Sequence, residues 1–435
     1  MKEKIKVIGA GLAGCEAAWQ IANAGFEVLL YEMKPTKKTP AHKSDLFAEL
    51  VCSNSLKASR IDSAAGLLKE EMRVLGSLCL EAAATCSVAA GGALAVERDI
   101  FSAYITEKIK SHKRITVINE CVDNLDFDGV TVVATGPLTD ETLAKKITQL
   151  CGEEGLSFYD AAAPIVTRES VDFSKAFFAS RYGKGDDDYI NCPFNKEEYE
   201  IFHKELINAE SAPLKEFDKP LTVYEGCMPI EVLAKRGEDS IRFGPLKPVG
   251  LRDPRTDKRP WAVVQLRREN AKGTLFNIVG FQTNLKFNEQ KRVFSLIPGL
   301  ENCDIVRFGV MHRNTFINSP KQLNKNLSHK KTGKIFFAGQ LTGVEGYMES
   351  AASGIVAGIN AVKLLKDEEA FILPEFTMIG ALLSYITDET VEHFQPMGAN
   401  FGILPPLSEN IRDKRERYGA LSERSLNWYK RNLGG

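Results

Sequence analysis

The segment IKVIGAGLAGCEAAWQIANAGFEVLLYE, residues 5–32, decides the fold of this 435-residue chain. Its apolar start predicts a strand, the turn GAGLAG leads into a helix that ends at Gly25, and FEVLLYE predicts a second strand. A GxGxxG turn between a strand and a helix, with an acidic residue closing the second strand, is the fingerprint of a dinucleotide-binding βαβ unit. We therefore predict an α/β fold that begins with a Rossmann-type domain.

The residues of this fingerprint have separate roles in holding a dinucleotide. Gly9 permits the tight turn, Gly11 lets backbone N–H groups approach a pyrophosphate, and Gly14 brings the helix close to the strand. Glu32 lies 18 residues beyond Gly14, and as an acceptor for ribose hydroxyls it favours FAD or NAD over NADP. The predicted cofactor-binding residues of the turn are Gly9, Ala10, Gly11, Leu12, Ala13 and Gly14.

Two later segments decide between FAD and a nicotinamide cofactor. VTVVATGP (130–137) predicts a strand that ends at Thr135 and Gly136. The stretch 333–365 predicts a strand, a glycine-rich turn and a long helix of small residues. Flavoproteins of the glutathione-reductase type close their dinucleotide domain in this way, although their returning strand ends in Gly-Asp rather than Gly-Gln. The cofactor-binding residues predicted in the turn are Gly339, Gln340, Gly346 and Tyr347.

Because the flavin-binding elements lie at both ends of the chain, the middle is predicted to be an insertion. Its composition changes to fewer glycine-rich turns and more charged residues. We predict an FAD-binding, glutathione reductase-like Rossmann domain interrupted by an α+β insertion domain. The predicted boundaries are 1–178 for the first part of the FAD domain, 179–330 for the insertion and 331–435 for the second part.

The hydrophobic and charged fractions are those of an ordinary globular protein, and the net charge is close to zero. Hydrophobic residues make up 44% and charged residues 26% of the chain, and 56 basic against 57 acidic residues leave a net charge of −1. Affinity for RNA therefore has to come from local basic segments.

Nine cysteines without CxxC spacing argue against a disulfide framework or a metal site. The longest uncharged apolar stretches are shorter than the roughly 20 residues of a membrane span, so we expect a cytoplasmic protein without a membrane partner.

Seven further stretches resemble one known family over nearly the whole chain. In order, they are TPAHKSDLFAELVCSNSLK (39–57), YEGCMPIE (224–231), RFGPLKPVGL (242–251), VVQLRREN (263–270), MHRNTFINSP (311–320), GVEGYMESA (343–351) and FQPMGANFGILPP (394–406). They are similar to the folate- and FAD-dependent tRNA uracil-5-methyltransferases, the TrmFO family. The GidA-like flavoproteins, which modify a wobble uridine, share the GAGxAGxEAA opening but not YEGCMPIE.

The resemblance implies an enzyme that transfers a methylene group from 5,10-methylenetetrahydrofolate to C5 of uridine 54 in the T-loop of tRNA. Reduced FAD, and ultimately NADH or NADPH, would supply the electrons. One alternative is a homologous enzyme that places the same methyl group on a ribosomal RNA uridine. Another is a tRNA-binding folding factor with a structural flavin. A plain NAD-dependent dehydrogenase is disfavoured by the second nucleotide-type strand before Gly339.

Two cysteines are the candidate catalytic residues. Uracil C5 is a poor nucleophile, and addition of a thiolate at C6 activates it. Cys227 lies in the loop Glu-Gly-Cys-Met-Pro, and the resemblance assigns it the nucleophile position. Cys52 precedes residues that favour helix N-caps, and the resemblance places it beside the flavin as a possible base for the C5 proton. The neighbouring Asn54 and Ser55 are predicted to hydrogen-bond the flavin.

A basic segment of the predicted insertion is the candidate RNA-binding surface. Residues 242–268 include eight basic and two acidic side chains together with Trp261. Basic side chains neutralise phosphates, and aromatic rings stack on unpaired bases. A solvated charged surface is the alternative interpretation of the same composition. The predicted RNA-binding residues are Arg242, Lys247, Arg252, Arg255, Arg259, Arg267 and Arg268.

Overall fold

The computed structural model describes residues 4–39, 41–125, 128–152, 156–161, 163–183, 187–212, 228–269, 273–309, 311–391 and 394–434. Its strands are β1 (Ile5–Ile8), β2 (Val28–Tyr31), β3 (Ser55–Ala58), β4 (Ser87–Val88), β5 (Ala93–Val96), β6 (Ile115–Ile118), β7 (Thr131–Val133), β8 (Leu156–Ala161), β9 (Ile165–Thr167), β10 (Phe177–Phe178), β11 (Tyr189–Phe194), β12 (Ala262–Arg268), β13 (Leu275–Ile278), β14 (Ile305–Arg307), β15 (Met311–Phe316) and β16 (Ile335–Phe337). Its helices are α1 (Leu12–Asn23), α2 (Ala64–Val74), α3 (Leu78–Thr85), α4 (Arg98–Ser111), α5 (Glu141–Cys151), α6 (Lys196–Asn208), α7 (Ile230–Ala234), α8 (Phe287–Phe294), α9 (Ser319–Gln322), α10 (Tyr347–Leu365), α11 (Met378–Tyr385) and α12 (Lys414–Leu433).

The first sheet is parallel and has the strand order β16-β7-β1-β2-β6. The central strand β1 pairs with β2 on one side and with β7 on the other. The predicted unit β1-α1-β2 is therefore present. The late strand β16 pairs in parallel with β7, so the end of the chain completes a sheet that its start begins. The predicted Rossmann-type FAD-binding fold is confirmed.

Small residues bring α1 and α10 into close contact over this sheet. A Cβ atom on Gly354 would lie 2.1 Å from the carbonyl oxygen of Ala13, and one on Gly358 would lie 2.7 Å from that of Ala17. Only glycine fits at these two positions of α10 without displacing backbone atoms. The contact holds the start of α10 beside the turn that leads into α1.

The second large sheet is antiparallel, with the order β10-β11-β12-β13-β9-β14. It has a hydrophobic core of its own, in which Phe202 of α6 and Phe294 of α8 are fully buried and contact Phe281. The predicted α+β insertion is thus present as a fold. The boundary at 178/179 stays a prediction, although β9 precedes it and pairs with β13 and β14 of this sheet.

The buried carboxylate of Glu71 connects the C-terminal helices α11 and α12 to helix α2. Glu71 of α2 accepts hydrogen bonds from the amides of Met378 (2.7 Å) and Ile379 (2.8 Å) at the start of α11. It also accepts one from the hydroxyl of Ser425 in α12 (2.6 Å) and a longer one from Tyr429 (3.4 Å). Burial outweighs these bonds and raises the pKa of Glu71 to about 7.

Candidate active site

The turn between β1 and α1 has the geometry that a bound dinucleotide requires. Gly9 has a φ of +98°, and a Cβ atom there would lie 2.6 Å from the carbonyl oxygen of Ala134. A Cβ atom on Gly14 would lie 1.8 Å from the carbonyl oxygen of Gly9, so the packing of the turn itself demands this glycine. On Gly11 a Cβ atom would meet no atom of the described residues within 4 Å. The space that Gly11 leaves free fits a pyrophosphate at the start of α1.

Glu32 directly follows β2 and is fixed by the same turn. One carboxylate oxygen accepts the amide of Ala10 (2.8 Å), and the other accepts the amide of Lys34 (3.0 Å). The side chain is buried but borders the cavity next to Gly11. A carboxylate oxygen has the capacity to accept a second hydrogen bond, so Glu32 also suits the ribose hydroxyls of a dinucleotide.

A cavity of about 390 Å³ brings most of the predicted cofactor residues together. It lies between the β1–α1 turn, the end of β7, the turn after β16, the start of α10 and strand β3. The predicted residues that line it are Gly9, Ala10, Gly11, Leu12, Ala13, Glu32, Cys52, Ser55, Thr135, Gly136, Gly339, Gln340, Gly346 and Tyr347. The lining residues therefore fit a dinucleotide cofactor with Cys52 at the same cavity.

Two predicted cofactor residues are absent from this lining. Gly14 lies behind the turn, against Gly9. Asn54 is fully buried, and its amide donates to the carbonyl oxygens of Arg268 (3.0 Å) and Glu269 (3.2 Å). The predicted hydrogen bond from Asn54 to the flavin is therefore corrected, because this side chain instead ties the loop after Cys52 to the end of β12.

The backbone around Cys52 is held by one tyrosine hydroxyl. The Tyr347 oxygen accepts the amide of Cys52 (2.7 Å) and the amide of Ser53 (3.2 Å). Burial raises the pKa of Tyr347 well above its usual value, and the neighbouring Cys52 charge raises it further. Tyr347 therefore stays neutral and orients the peptide that presents the Cys52 thiol to the cavity.

Sequence reasoning missed two arginines that hold the residues just before Cys52. Arg98, the first residue of α4, donates to the carbonyl oxygen of Leu50 (2.8 Å), and Arg307 at the end of β14 donates to that of Val51. Burial and the Arg98 charge lower the pKa of Arg307, while the Cys52 charge acts in the opposite direction. Positive charge near a cysteine favours the thiolate. Neither arginine lies in a recognisable motif for this role, so the sequence carried no signal for it.

Cys227, the predicted nucleophile, lies outside the described residues. The chain is described again from Met228, and the amide of Ile230 donates to the carbonyl oxygen of Gln282 (2.7 Å). Gln282 lines the cavity, and sequence reasoning did not single it out. The adjacent Glu231 accepts the amide of Asn284 (2.8 Å), which fixes this loop to α7.

The structure divides the predicted RNA-binding residues into separate groups. Arg252 and Arg259 are exposed beside a surface pocket, and Lys247 is also exposed. Arg255 is exposed but is paired with Asp253 through two hydrogen bonds, of 2.9 and 2.6 Å. The guanidinium carbon of Arg242 lies 3.8 Å from the ring centre of Trp261.

Of the last two residues of that prediction, Arg267 requires a correction. Arg267 donates to the hydroxyl of Ser53 (2.7 Å) and to the side-chain oxygen of Asn54 (3.2 Å), and burial lowers its pKa. Arg268 is half-buried beside Gly273. Arg267 therefore belongs to the contact between β12 and the loop after Cys52 rather than to an open basic surface, whereas the RNA-binding role of Arg268 stays a prediction.

Comparison with known proteins decides the family. The family model described as glucose inhibited division protein A matches residues 4–369. Proteins described as methylenetetrahydrofolate–tRNA-(uracil-5-)-methyltransferase TrmFO are 59% identical in Acetivibrio thermocellus and 57% identical in Enterococcus faecalis. Each alignment covers 98% of this chain and 98% of the relative. This chain belongs to the TrmFO family.

The fold of this TrmFO family member is shared with a solved structure. GidA of Aquifex aeolicus, in its form II crystal, superposes with a TM-score of 0.72 at 19% identity. The superposition covers 99% of this chain and 73% of the GidA chain. At that identity the likeness shows the fold, which agrees with the two-sheet architecture described above.

Among the described residues, no group of three or more His, Cys, Asp or Glu side chains is arranged to hold a metal ion. In the same part of the chain, no helix combines the length and apolar composition that crossing a membrane requires.

Proposed function

We propose that this protein is a methylenetetrahydrofolate- and FAD-dependent methyltransferase that modifies C5 of uridine 54 in the T-loop of tRNA. The observation that carries the proposal is the 57–59% identity, over nearly the whole length, to proteins that bear this enzyme name. The cavity that joins the dinucleotide turn to Cys52 supports it independently. Cytoplasmic location belongs to the same proposal, because tRNA and reduced thiols occur together there.

The proposed chemistry assigns a separate task to each group of residues. The turn at Gly11 and the carboxylate of Glu32 would hold FAD, which in its reduced form supplies the electrons that convert a transferred methylene into a methyl group. NADH or NADPH is the proposed source of those electrons. Tyr347, Arg98 and Arg307 position the peptide that carries Cys52.

The thiolate of Cys227 is the proposed nucleophile toward the uracil ring. It adds to C6, and C5 then gains the nucleophilic character to bond the one-carbon unit. A base removes the C5 proton as tetrahydrofolate leaves the one-carbon unit. A hydride equivalent from the reductant then converts that unit into a methyl group, while the thiolate leaves C6 and the C5–C6 double bond is restored. Cys52 is the proposed base, since it borders the cavity and lies near the half-buried Arg307, whose positive charge favours its ionised form.

The test of this function follows the origin of the carbon atom. Purified protein is incubated with tRNA transcript, NADH or NADPH, FAD and methylene-labelled tetrahydrofolate. We expect label in 5-methyluridine at position 54, and none in a transcript with cytidine at that position. Product from methyl-labelled S-adenosylmethionine with folate omitted would contradict the proposal. A ribosomal RNA fragment in parallel separates the tRNA target from the alternative RNA target.

The assignment of Cys227 has its own experiment. A T-loop RNA that contains 5-fluorouridine lacks the C5 proton, so the covalent adduct between the thiol and C6 cannot resolve. We expect wild-type protein and a Cys52→Ala variant to form this adduct, and a Cys227→Ala variant to form none. Equal adduct formation by Cys227→Ala would identify another residue as the nucleophile.

A further inference from the structure

An exposed tyrosine lies in the connection between β10 and β11. Tyr182 belongs to the short 3₁₀ turn Arg181–Gly183, and the residue is 63% exposed. Its backbone has a φ of +61°, which is unusual for a residue with a large side chain. The amide of Tyr182 donates to the carbonyl oxygen of Gly250 (2.8 Å), and this bond holds the turn in place. Strained residues of this kind concentrate at functional sites.

The ring of Tyr182 presents one open face. The three atoms nearest to a Cβ atom built on Gly250 are Cε1, Cε2 and Cζ of Tyr182, each at 3.0 Å. A point equidistant from three atoms of a regular ring lies on the axis through its centre. The Cα of Gly250 therefore supports one face of the ring, and the 63% exposure belongs largely to the opposite face.

Basic side chains surround this ring. Tyr182 and Gly250 line a surface pocket together with Arg252, Lys258 and Arg259. All three basic side chains are exposed. Asp257 is the acidic residue of the same lining, and it accepts a hydrogen bond from Arg252 at 3.4 Å. The described lining therefore has an excess of positive charge around an aromatic ring.

Hydrogen bonds connect the hairpin of β10 and β11, which holds Tyr182, to strands near the cavity that Cys52 lines. Asp188, which follows the turn, accepts the amide of Gly91 (2.6 Å), and the hydroxyl of Tyr189 donates to the carbonyl oxygen of Ala90 (3.2 Å). Ala90 and Gly91 lie between β4 and β5, and β5 pairs with β3, whose first residue Ser55 lines the cavity. The aromatic pocket is thus fixed relative to the proposed reaction site.

We propose that Tyr182 stacks on an unpaired nucleobase of the RNA substrate, while Arg252, Lys258 and Arg259 neutralise the neighbouring phosphates. An aromatic ring with one supported and one open face accepts any base, and adjacent cations track the backbone. This inference rests on the proposed function, because it takes RNA as the substrate. It adds a recognition residue that lies apart from the cavity and from both catalytic cysteines.

The test compares tRNA binding by wild-type holoenzyme with that of three variants. Tyr182→Asn removes the ring and keeps a residue that tolerates the left-handed backbone, whereas Tyr182→Phe keeps the ring. Phe287→Ala is the matched control, because it removes another aromatic ring from the insertion domain, at a residue that is 55% exposed. Loss of one stacked base weakens binding roughly 5- to 140-fold. We expect that loss for Tyr182→Asn only, with unchanged FAD content in all variants.

Salt dependence separates stacking from charge. A stacked ring releases no counterions, so Tyr182→Asn should weaken binding equally at every salt concentration. Arg259→Gln should instead reduce the slope of log K against log salt by somewhat less than one unit, the contribution of about one phosphate contact. Irradiation of a 4-thiouridine-containing tRNA should cross-link the peptide that holds Tyr182 in the wild type.

The outcomes distinguish this inference from the proposed function. Wild type that binds and methylates tRNA, with a Tyr182→Asn variant of equal affinity, overturns the stacking role and leaves the function standing. Wild type that binds no tRNA overturns both. A Tyr182→Asn variant that loses affinity with its salt slope and flavin content unchanged supports the inference, and so does recovery in Tyr182→Phe.

Discussion

Replacing Gly11 shows whether this residue is required for the stability of the protein or for the binding of the dinucleotide. Gly11 has a φ of −74°, which any residue adopts, and a Cβ atom there would meet no atom within 4 Å in the part of the chain that the structure describes. For Gly11→Ala and Gly11→Val we therefore expect the free energy of unfolding of the FAD-free protein to change by about 1 kcal/mol or less.

The binding of FAD should respond very differently. A side chain at Gly11 occupies the space through which backbone N–H groups approach the pyrophosphate. A hydrogen bond to a charged group contributes about 1.5–3 kcal/mol, so losing one weakens FAD binding roughly 10- to 100-fold. Flavin absorbance per mole of purified protein and fluorescence titration of the FAD-free protein measure this loss. We expect the larger valine to lose more flavin than alanine.

Gly14→Ala is the matched control, since its Cβ atom would lie 1.8 Å from the carbonyl oxygen of Gly9. Forcing this contact should lower the free energy of unfolding by about 1–3 kcal/mol even without FAD. Urea unfolding of the two FAD-free variants makes the comparison. Full flavin absorbance in Gly11→Val, or a loss of stability equal to that of Gly14→Ala, would refute the reasoning.

Three further predictions concern other sites. Tyr347→Phe removes the oxygen that accepts the Cys52 amide. An unpaired buried donor costs about 1–3 kcal/mol, so we expect kcat to fall roughly tenfold. We expect the flavin content to stay constant. Burial raises the pKa of Glu71 from 4.5 to about 7. The contribution of this side chain to the free energy of unfolding is therefore fully present below pH 4.5 and is lost as the pH rises from 4.5 to about 7. Urea unfolding of wild type relative to Glu71→Gln should therefore show a loss of about 3 kcal/mol between these two pH values, and a pH-independent difference would contradict it. Arg252→Gln should lower the salt dependence of tRNA binding, because the contact of Arg252 with the carboxylate of Asp257 is long (3.4 Å) and both side chains are exposed. Arg255→Gln should leave it unchanged, because the Arg255 guanidinium donates two hydrogen bonds to the buried Asp253.

The elements that the sequence predicted well are those whose signal is local. The turn from Gly9 to Gly14 and the acidic residue after β2 lie within one βαβ unit, so spacing and residue type were sufficient. The return of the chain at Gly339 was also predictable, because a strand, a glycine-rich turn and a helix of small residues recur there together. These predictions concern backbone conformation, which neighbouring residues largely decide.

The contacts that sequence reasoning missed join residues far apart in the chain. Arg98 and Arg307 meet at the two residues before Cys52, and Asn54 binds backbone oxygens at the end of β12. Composition cannot distinguish an exposed arginine from one that a distant loop covers, which is why Arg267 was predicted to bind RNA. Such roles depend on tertiary packing rather than on spacing.

The pairing of β7 with β16 has a consequence for how the protein is made. β7 ends at Val133 and β16 begins at Ile335. At about 5–20 residues per second, a ribosome needs on the order of 10–40 s to synthesise the roughly 200 residues between them. During that interval the edge of β7 lacks its partner, and unpaired edges attract other strands. Gly339 and the start of α10, which complete the cavity, emerge later still. The cavity is therefore completed late in biogenesis, and a chain arrested before residue 335 leaves the β16 side of β7 unpaired and open to aggregation.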